Sequence, residues 1–373
     1  MPVPVANHVE KLPPASRERL VRAGIDLTNY PEWPPKPKSL TLAAKVREEE
    51  RPHIERGKNA DPEKKALLKA AKEVIHLSKH IGTEIVGLQL SQLTDQQKDE
   101  LALLIAERTV VFFRDQDLTP QQQRDLGAYF GEVEVHPTAP RVPGLPGVSI
   151  IWPELARQER VGFRNPFGTQ DWHTDLTHEK QPPGITHLHN DTIPSIGGDT
   201  YWASGYSAYD KLSPAFRAKI DGLQAVYRSA HVYKNPEDPD GPLVPIERVH
   251  PLVRTHPATG WKSLFVNRKY TLRIVGFEPA ESKIILDYLF DVYERSLDIQ
   301  VRFKWTPGTS ALWDNRISIH AAVFDYEGHE PRHGTRVSSL AEVPYFDPQS
   351  KSRREALGLD KPEDFLPKKE IIY

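Results

Sequence analysis

The chain has no cysteine, which excludes disulfides, thiolate nucleophiles, zinc–thiolate sites and cysteine-held iron–sulfur clusters. Any metal it binds must be held by nitrogen and oxygen ligands. It also lacks an excess of charge of either sign. With 49 basic and 51 acidic residues the formal net charge is −2, so no field draws it to nucleic acid or to a membrane. No apolar run approaches the length of a membrane span, and Met1-Pro-Val-Pro-Val-Ala has no apolar signal core. Glu10 and Glu18 fall where a transit peptide would be poor in acids. A cytoplasmic protein without nucleic-acid or membrane partners is expected. Hydrophobic content is low at 38%, but 34 prolines and 27% charged residues account for much of the deficit. A long polar segment beside an ordinary core would average to this.

The 373 residues allow one large domain or two moderate ones. Residues 1–80 read as a Pro- and charge-rich N-terminal arm. Tyr30 to Ser39 should be extended, because proline and the residue before it disfavour helix. Leu40 to Glu50 and Pro62 to Leu77 have the pattern of helices with wide polar faces. The arm is expected to wrap over the domain or a neighbouring subunit, since Tyr30 and Trp33 would otherwise be exposed; a loose tail is the alternative.

The compact domain should span 81–345, with a C-terminal tail at 346–373. Thr83 to Leu90 alternates as a strand does. Thr94 with Gln97, and Thr119-Pro120 with Gln122, are capping-box starts of two helices. Leu101, Leu104 and Ile105 should line the first of these, and Leu126, Tyr129 and Phe130 the second. Thr109 to Phe113 is a buried strand by its β-branched and aromatic content. Gly131 to Pro146 is irregular, rich in Pro and Gly, and contains His136.

Short strands then recur: Gly147–Ile151, Gly184–His189, Thr200–Ala203, Leu223–Ser229, His250–Thr255, Trp261–Val266, Ile299–Trp305, Ser310–Trp313, Ile317–Phe324 and Thr335–Leu340. Helices from Ser213 to near Gly222 and from Pro279 to Ser296 interrupt them. Ile285, Tyr288, Leu289 and Val292 should face inward on the second. The fold class expected is mainly β with flanking helices, as a sandwich or barrel.

The chemistry concentrates at Phe167-Gly168-Thr169-Gln170-Asp171-Trp172-His173-Thr174-Asp175. An imidazole and a carboxylate two residues apart project from one face of an extended strand. With a distant imidazole such as His320 they would form the 2-His-1-carboxylate set that holds Fe(II) and keeps positions open. With 15 histidines, about one His-x-Asp is expected by accident, and a second does occur at His189-Asn190-Asp191. Spacing alone does not choose between them. Further on, Arg332, Gly334 and Arg336 share one face if extended, forming a slot for a planar anion between two guanidiniums. An exposed strand whose arginines meet surface carboxylates is the plainer alternative.

Taken together, Trp172-His173-Thr174-Asp175, Gly197-Gly198-Asp199-Thr200-Tyr201-Trp202, Trp313-Asp314-Asn315-Arg316, His320 and the Arg332/Arg336 pair resemble the taurine dioxygenase family of Fe(II)- and 2-oxoglutarate-dependent oxygenases. The resemblance covers about Ile81 to Val343, in order. It includes Val111-Phe-Phe-Arg-Asp-Gln116, Gly131-Glu132, His250-Pro-Leu-Val-Arg254, His256-Pro257 and Leu264-Phe-Val-Asn267. The Tyr-Pro-rich arm and Pro344 to Gly358 look like the fungal sulfonate dioxygenase branch.

The resemblance implies a double-stranded β-helix (jelly roll) core, with Fe(II), 2-oxoglutarate and dioxygen as cofactor and co-substrates. It makes His173, Asp175 and His320 the metal ligands and leaves His189 and Asp191 structural. Thr200 and Arg332 would hold the far carboxylate of 2-oxoglutarate. His136 and Arg336 would grip the anionic head of the prime substrate, and Leu176 and Tyr270 would line its side. The implied reaction couples decarboxylation of 2-oxoglutarate to hydroxylation of a small anionic substrate. For a sulfonate, hydroxylation beside sulfur releases sulfite and an aldehyde. A homo-oligomer, dimer or tetramer, is expected.

Three positions depart from the taurine-specific pattern. Ala139 replaces a tyrosine, Thr169 an asparagine and Tyr270 a phenylalanine. A wider pocket that recognises a small amine poorly follows, so a bulkier sulfonate, a sulfate ester, a carboxylate or a heterocycle competes with taurine. A hydrolase would have no use for the Arg332/Thr200 pocket. A non-catalytic metal- and anion-binding protein would form no succinate.

Overall fold

The computed structural model describes residues 8–35, 48–156, 172–235, 237–238, 240–326 and 330–359. The described residues form fifteen strands and several helices, a mainly β architecture. The strands are β1 Glu73–His76, β2 Thr83–Val86, β3 Val110–Phe113, β4 Ser149–Ile151, β5 Pro183–Thr192, β6 Thr200–Ser204, β7 Gln224–Tyr233 and β8 Val244–Pro251. They continue with β9 Val253–Thr255, β10 Lys262–Leu264, β11 Thr271–Ile274, β12 Gln300–Phe303, β13 Thr309–Asp314, β14 Ser318–Ala322 and β15 His333–Leu340. A seven-stranded sheet runs β1-β2-β3-β13-β5-β15-β4, and a three-stranded sheet runs β12-β6-β14. A second three-stranded sheet is β11-β7-β8, and β9 pairs with β10.

The seven-stranded sheet and β12-β6-β14 are joined by aromatic packing. Phe112 of β3 stacks on Phe303 of β12, ring centroids 3.8 Å apart, and meets Trp202 of β6 edge-on at 5.3 Å. Trp202 also contacts Trp313 of β13 at 5.7 Å. These rings belong to one buried cluster with Val110, Leu188, Val301 and Trp305. Large rings carry much apolar area for few rotatable bonds, so the sheets are held firmly where the site lies between them.

Both capping boxes form as read: Thr94 with Gln97 starts the helix Asp95–Arg108, and Thr119 with Gln122 starts Pro120–Phe130. Leu101, Leu104 and Ile105 are buried on the first. On the helix Pro279–Arg295, Leu289 is buried and Ile285 and Val292 pack against the core as expected, but Tyr288 is 48% exposed and the fully buried stripe is Leu286, Leu289, Phe290 and Tyr293. This helix is apolar on adjacent stripes, and the neighbouring surface selected one of them. The helix expected over Pro62 to Leu77 is only Lys65–Ala70; Glu73–His76 pairs antiparallel with β2 instead. The β-branched pair Val74-Ile75 suits a strand edge, and β2 offers it a partner. The sheet thus begins at Glu73, ahead of residue 80. Strands β8 and β11 and the helix Gly205–Asp210 were not anticipated. Most of the expected helix Leu40 to Glu50 lies outside the described residues.

The N-terminal arm is anchored, not loose. Its helix Pro14–Arg22 and Tyr30 pack in a cluster with Val148, Ile150 and Val337. Ser16 Oγ donates to Asp191 Oδ1 at 2.6 Å, and Arg19 pairs with Asp191 at 3.2 Å. His333 Nδ1 lies 2.8 Å from the same carboxylate, and its Nε2 lies 2.6 Å from Tyr30 Oη. Asp191, half of the competing His-x-Asp step, is therefore the buried anchor of the arm. Wrapping of the arm onto the domain covers Tyr30, as expected, but leaves Trp33 54% exposed. No helix among the described residues is long and apolar enough to cross a membrane.

Burial leaves several histidines without charge. It pushes His187 down to about 3 and His250 to about 4, and it holds His189 well below its ordinary value. An unfolded histidine titrates near ~6.5, so between that pH and the folded value the unfolded chain binds more protons. Their stability contribution is present above that pH and is lost as pH falls toward 4, at up to about 1.4 kcal/mol per pH unit for each group. Urea unfolding of metal-free protein should show the midpoint falling from pH 7.5 to 5. His187→Gln should flatten that slope; an unchanged slope would show that His187 does not stay neutral in the fold.

Candidate active site

The candidate ligands come from two adjacent backbones. His320 sits on β14 opposite Trp202 of β6. On its other side the segment through His173 exchanges both backbone hydrogen bonds with it, His173 N to His320 O at 3.0 Å and the reverse at 2.8 Å. This isolated bridge brings the two imidazoles to 4.3 Å between centroids. Asp175 follows two residues later, its Oδ1 3.6 Å from His173 Nε2. One ligand atom from each of His173, Asp175 and His320 lies within 4.8 Å of the others.

Neighbours hold the short segment in place. Thr174 Oγ1 donates to Ser318 O at 2.7 Å, and Asp175 N donates to Asn315 Oδ1 at 3.4 Å. Asn315 is itself fixed by Trp313 Nε1 at 3.2 Å and by its own donations to Gly184 O and Thr186 Oγ1. Trp313 packs on His320, ring centroids 5.0 Å apart. Leu176 is buried next to Asp175 with φ of 48°, a left-handed conformation uncommon for a branched side chain. The chain reverses there, directly after the carboxylate.

The protonation states suit a metal of the Fe(II) type. Burial, with the His173 imidazole adding to it, lowers His320 to about 3, so the ring is neutral and can donate a lone pair. Its Nδ1 is buried without a hydrogen-bond partner. Burial would raise Asp175, but the Arg336 guanidinium and the two imidazoles outweigh it and hold the carboxyl well below the usual range. A carboxylate held ionised beside two imidazoles, one held neutral, is the donor set of a facial triad.

Arg336, on β15, reaches Asp175 itself. Its Nη1 donates to Oδ1 at 3.2 Å and Oδ2 at 3.3 Å. Arg332, just before β15, is 3% exposed and donates from Nη1 to Gly198 O at 2.8 Å. Its Nε is buried with no partner, an orphaned donor that fits an incoming carboxylate. Gly197 and Gly198, with φ of 81° and 73°, form the turn that offers this carbonyl, two residues before Thr200. Thr200 Oγ1 accepts from Trp305 Nε1 at 3.0 Å, which leaves its own proton to donate.

Other expected site residues are distributed as follows. Tyr270 is edge-on to His173 at 6.0 Å. His136 accepts at Nδ1 from the backbone N–H of Thr138 (3.2 Å) and Ala139 (2.9 Å), so its Nε2 carries the proton, and its ring contacts His231 at 5.1 Å. Thr169 lies outside the described residues. Gly334 does not form a slot between the guanidiniums: a Cβ there would lie 2.5 Å from both His189 O and Asn190 Oδ1. Its missing side chain serves the close pairing of β15 with β5, because a register shift after His333 turns this position toward the neighbouring strand.

The alternative His-x-Asp step builds no such centre. His189 Nδ1 lies 3.0 Å from Ser310 Oγ, the same hydroxyl that meets His187 Nε2 at 3.0 Å. A second group of possible ligands, His53, Glu55 and Glu342, is present among the described residues. There Arg316 pairs with both carboxylates and with Asp314, and Arg254 pairs with Glu342. The guanidiniums already neutralise that cluster. Sequence reasoning did not single out Asn315 or the Gly198 carbonyl as supports of the site, although both lie in quoted motifs; their roles depend on cross-strand partners.

Comparison with known proteins shows the family. Residues 73–338 match the family described as taurine catabolism dioxygenase TauD, TfdA family. A Schizosaccharomyces pombe relative, provisionally named an alpha-ketoglutarate-dependent sulfonate dioxygenase, is 38% identical over 315 residues, covering 81% of this chain and 78% of its own. An alpha-ketoglutarate-dependent sulfate ester dioxygenase of Pseudomonas putida is 33% identical over 298 residues, covering 75% of this chain and 94% of its own. The crystal structure of a taurine dioxygenase from Burkholderia xenovorans superposes with a TM-score of 0.64 at 35% identity, covering 74% of this chain and 92% of its own.

Proposed function

The chain belongs to the TauD/TfdA family and is a 2-oxoglutarate-dependent dioxygenase, and on that premise we propose that His173, Asp175 and His320 hold its Fe(II) while Arg336 and His136 hold a sulfonate substrate. The observation that carries this reading is the approach of three N and O donors to within 4.8 Å, with a guanidinium on the carboxylate. Fe(II), with 2-oxoglutarate and dioxygen, supplies decarboxylation to succinate and CO2 together with hydroxylation of a substrate C–H bond. A carbon bearing both hydroxyl and sulfonate then loses bisulfite to give the aldehyde, needing no further reagent.

The protein's part is binding and aim. Arg332, buried and with an unused Nε–H, takes the far carboxylate of 2-oxoglutarate, helped by the Thr200 hydroxyl. In this reading His136 joins Arg336 at the anionic head, its Nδ1 being engaged by the Thr138 and Ala139 amides. Fixing the anion fixes which carbon faces the metal. Leu176, Tyr270 and Thr169 belong to the substrate side in this reading. Ala139 in place of a ring favours a substrate bulkier than taurine; a sulfate ester or a carboxylate is the second reading, and the named activity of the P. putida relative supports it.

The paired sheets support a double-stranded β-helix core, for a unit that starts at Glu73 and not at 81. A cytoplasmic homo-oligomer, dimer or tetramer, completes the reading; exposed Ile284 and Tyr288 on one helix support it, and light scattering tests it.

Anaerobic Fe(II) and 2-oxoglutarate should give the visible charge-transfer band of the chelate. Oxygen-dependent succinate formation should then be greatest with larger sulfonates. Taurine turned over as well as or better than larger anions would count against the bulkier substrate. Arg332→Ala removes a buried charged partner, a loss of about 2–5 kcal/mol, so the 2-oxoglutarate requirement should rise by at least about 30-fold. An unchanged requirement would move the co-substrate pocket elsewhere.

A further inference from the structure

Arg336 has two claimants. In the structure its Nη1 straddles both oxygens of Asp175, at 3.2 and 3.3 Å. Both side chains are mostly shielded, at 19% and 9% exposure, so the attraction is little screened by solvent. The contact is nevertheless a loose one: a single nitrogen shared between two oxygens, longer than the 2.7–2.9 Å usual for charge-assisted bonds. It is not the two-nitrogen fork that guanidinium and carboxylate form when nothing else competes. Asp175 is also the only carboxylate of the His173/Asp175/His320 group, and Arg336 is the cation assigned to the substrate's anionic head.

We propose that Arg336 couples the two binding events at this site, so that a divalent metal and an anionic substrate each strengthen the other's binding through the Arg336–Asp175 pair. This rests on the reading of Arg336 as the anion grip. A metal on Asp175 takes up the carboxylate's charge and loosens its hold on Arg336, which is then available to the anion. An anion on Arg336 releases Asp175 as a stronger donor and offsets the repulsion between guanidinium and metal. Because the coupling is thermodynamic, the factor is the same in both directions. Sulfonate should accordingly bind the metal-loaded protein more tightly than the metal-free protein, by the same factor.

The test reads Mn(II) affinity, a redox-stable probe of an N/O donor set, by calorimetry on the full chain without 2-oxoglutarate. Arg336→Gln should bind Mn(II) about tenfold more tightly than the wild type, because the competing cation is gone. Taurine or 1-butanesulfonate should tighten Mn(II) binding in the wild type and leave Arg336→Gln unchanged. An Arg336→Gln affinity equal to or weaker than wild type would overturn the proposal. So would equal tightening by sulfonate in both proteins, which would place the anion away from Arg336 and remove the anion-grip reading while leaving the His173/Asp175/His320 metal site in place. If Arg336→Gln binds Mn(II) tightly but sulfonate does nothing in the wild type, the coupling fails because the anion-grip reading fails. Should Arg336→Gln not fold, Asp175→Asn asks the same question from the other side. Without metal it should bind 1-butanesulfonate more tightly than metal-free wild type, and binding no tighter would overturn the proposal.

Discussion

His173→Ala is expected to abolish the visible band that Fe(II) and 2-oxoglutarate give in the absence of oxygen, and succinate formation with it. The ligand set is small, and His173 is doubly committed to it. Its imidazole is one of three donors within 4.8 Å, and its backbone bridge to His320 aligns the second. Alanine keeps the bridge and removes the donor, so the loss reports the ligand itself. His189→Ala supplies the control. That ring is buried against Ser310 in the seven-stranded sheet, so its removal should cost about 1–3 kcal/mol of stability through the lost hydrogen bond and the space left in the core, and should leave the band intact. The reverse pattern, with the band lost in His189→Ala and kept in His173→Ala, would sink the choice of ligands. Absorbance spectra and urea titrations on the two variants decide it.

Gly334→Ala should damage both the sheet and the site, although it adds a single methyl. An added Cβ would lie 2.5 Å from His189 O, a backbone atom of β5 that cannot swing away as a side chain could. Overpacking of this kind typically costs about 1–3 kcal/mol. The strand can relieve it only by moving away from β5, and β15 is held on its other side by β4. Such a move displaces Arg332 on one flank and Arg336 on the other. Half-saturating 2-oxoglutarate should therefore rise together with the loss of stability, which chemical denaturation and a 2-oxoglutarate titration would measure. Wild-type values for both would mean that the sheet has room at this position.

Local signals were legible in the sequence wherever the cause was local. The Thr94/Gln97 and Thr119/Gln122 boxes need only residues three apart, and both form. The buried strands Val110–Phe113 and Thr309–Asp314 follow from apolar, β-branched and aromatic composition. Where two faces of one element were similarly apolar, the sequence left a tie. Tyr288 was assigned inward and faces out, because the choice belongs to the surface the helix packs against. Glu73–His76 became a strand because β2 was there to pair with it.

The site divides along the same line. The absence of cysteine, the near-neutral charge, the His-x-Asp step and the arginine pair four residues apart were all present in the chain itself, and with the family's motifs they pointed to the reaction class. Spacing alone could not rank His173/Asp175 above His189/Asp191, since both are the same His-x-Asp step. Folding separated them. It set His173 beside His320 across a two-residue bridge and sealed Asp191 against Ser16, Arg19 and His333. It also turned Gly334 from an apparent slot into a packing contact, and brought Arg336 onto the carboxylate it must share. A sequence records which donors and charges exist. Which of them meet depends on strand pairing over more than a hundred residues, and only the tertiary structure supplies that.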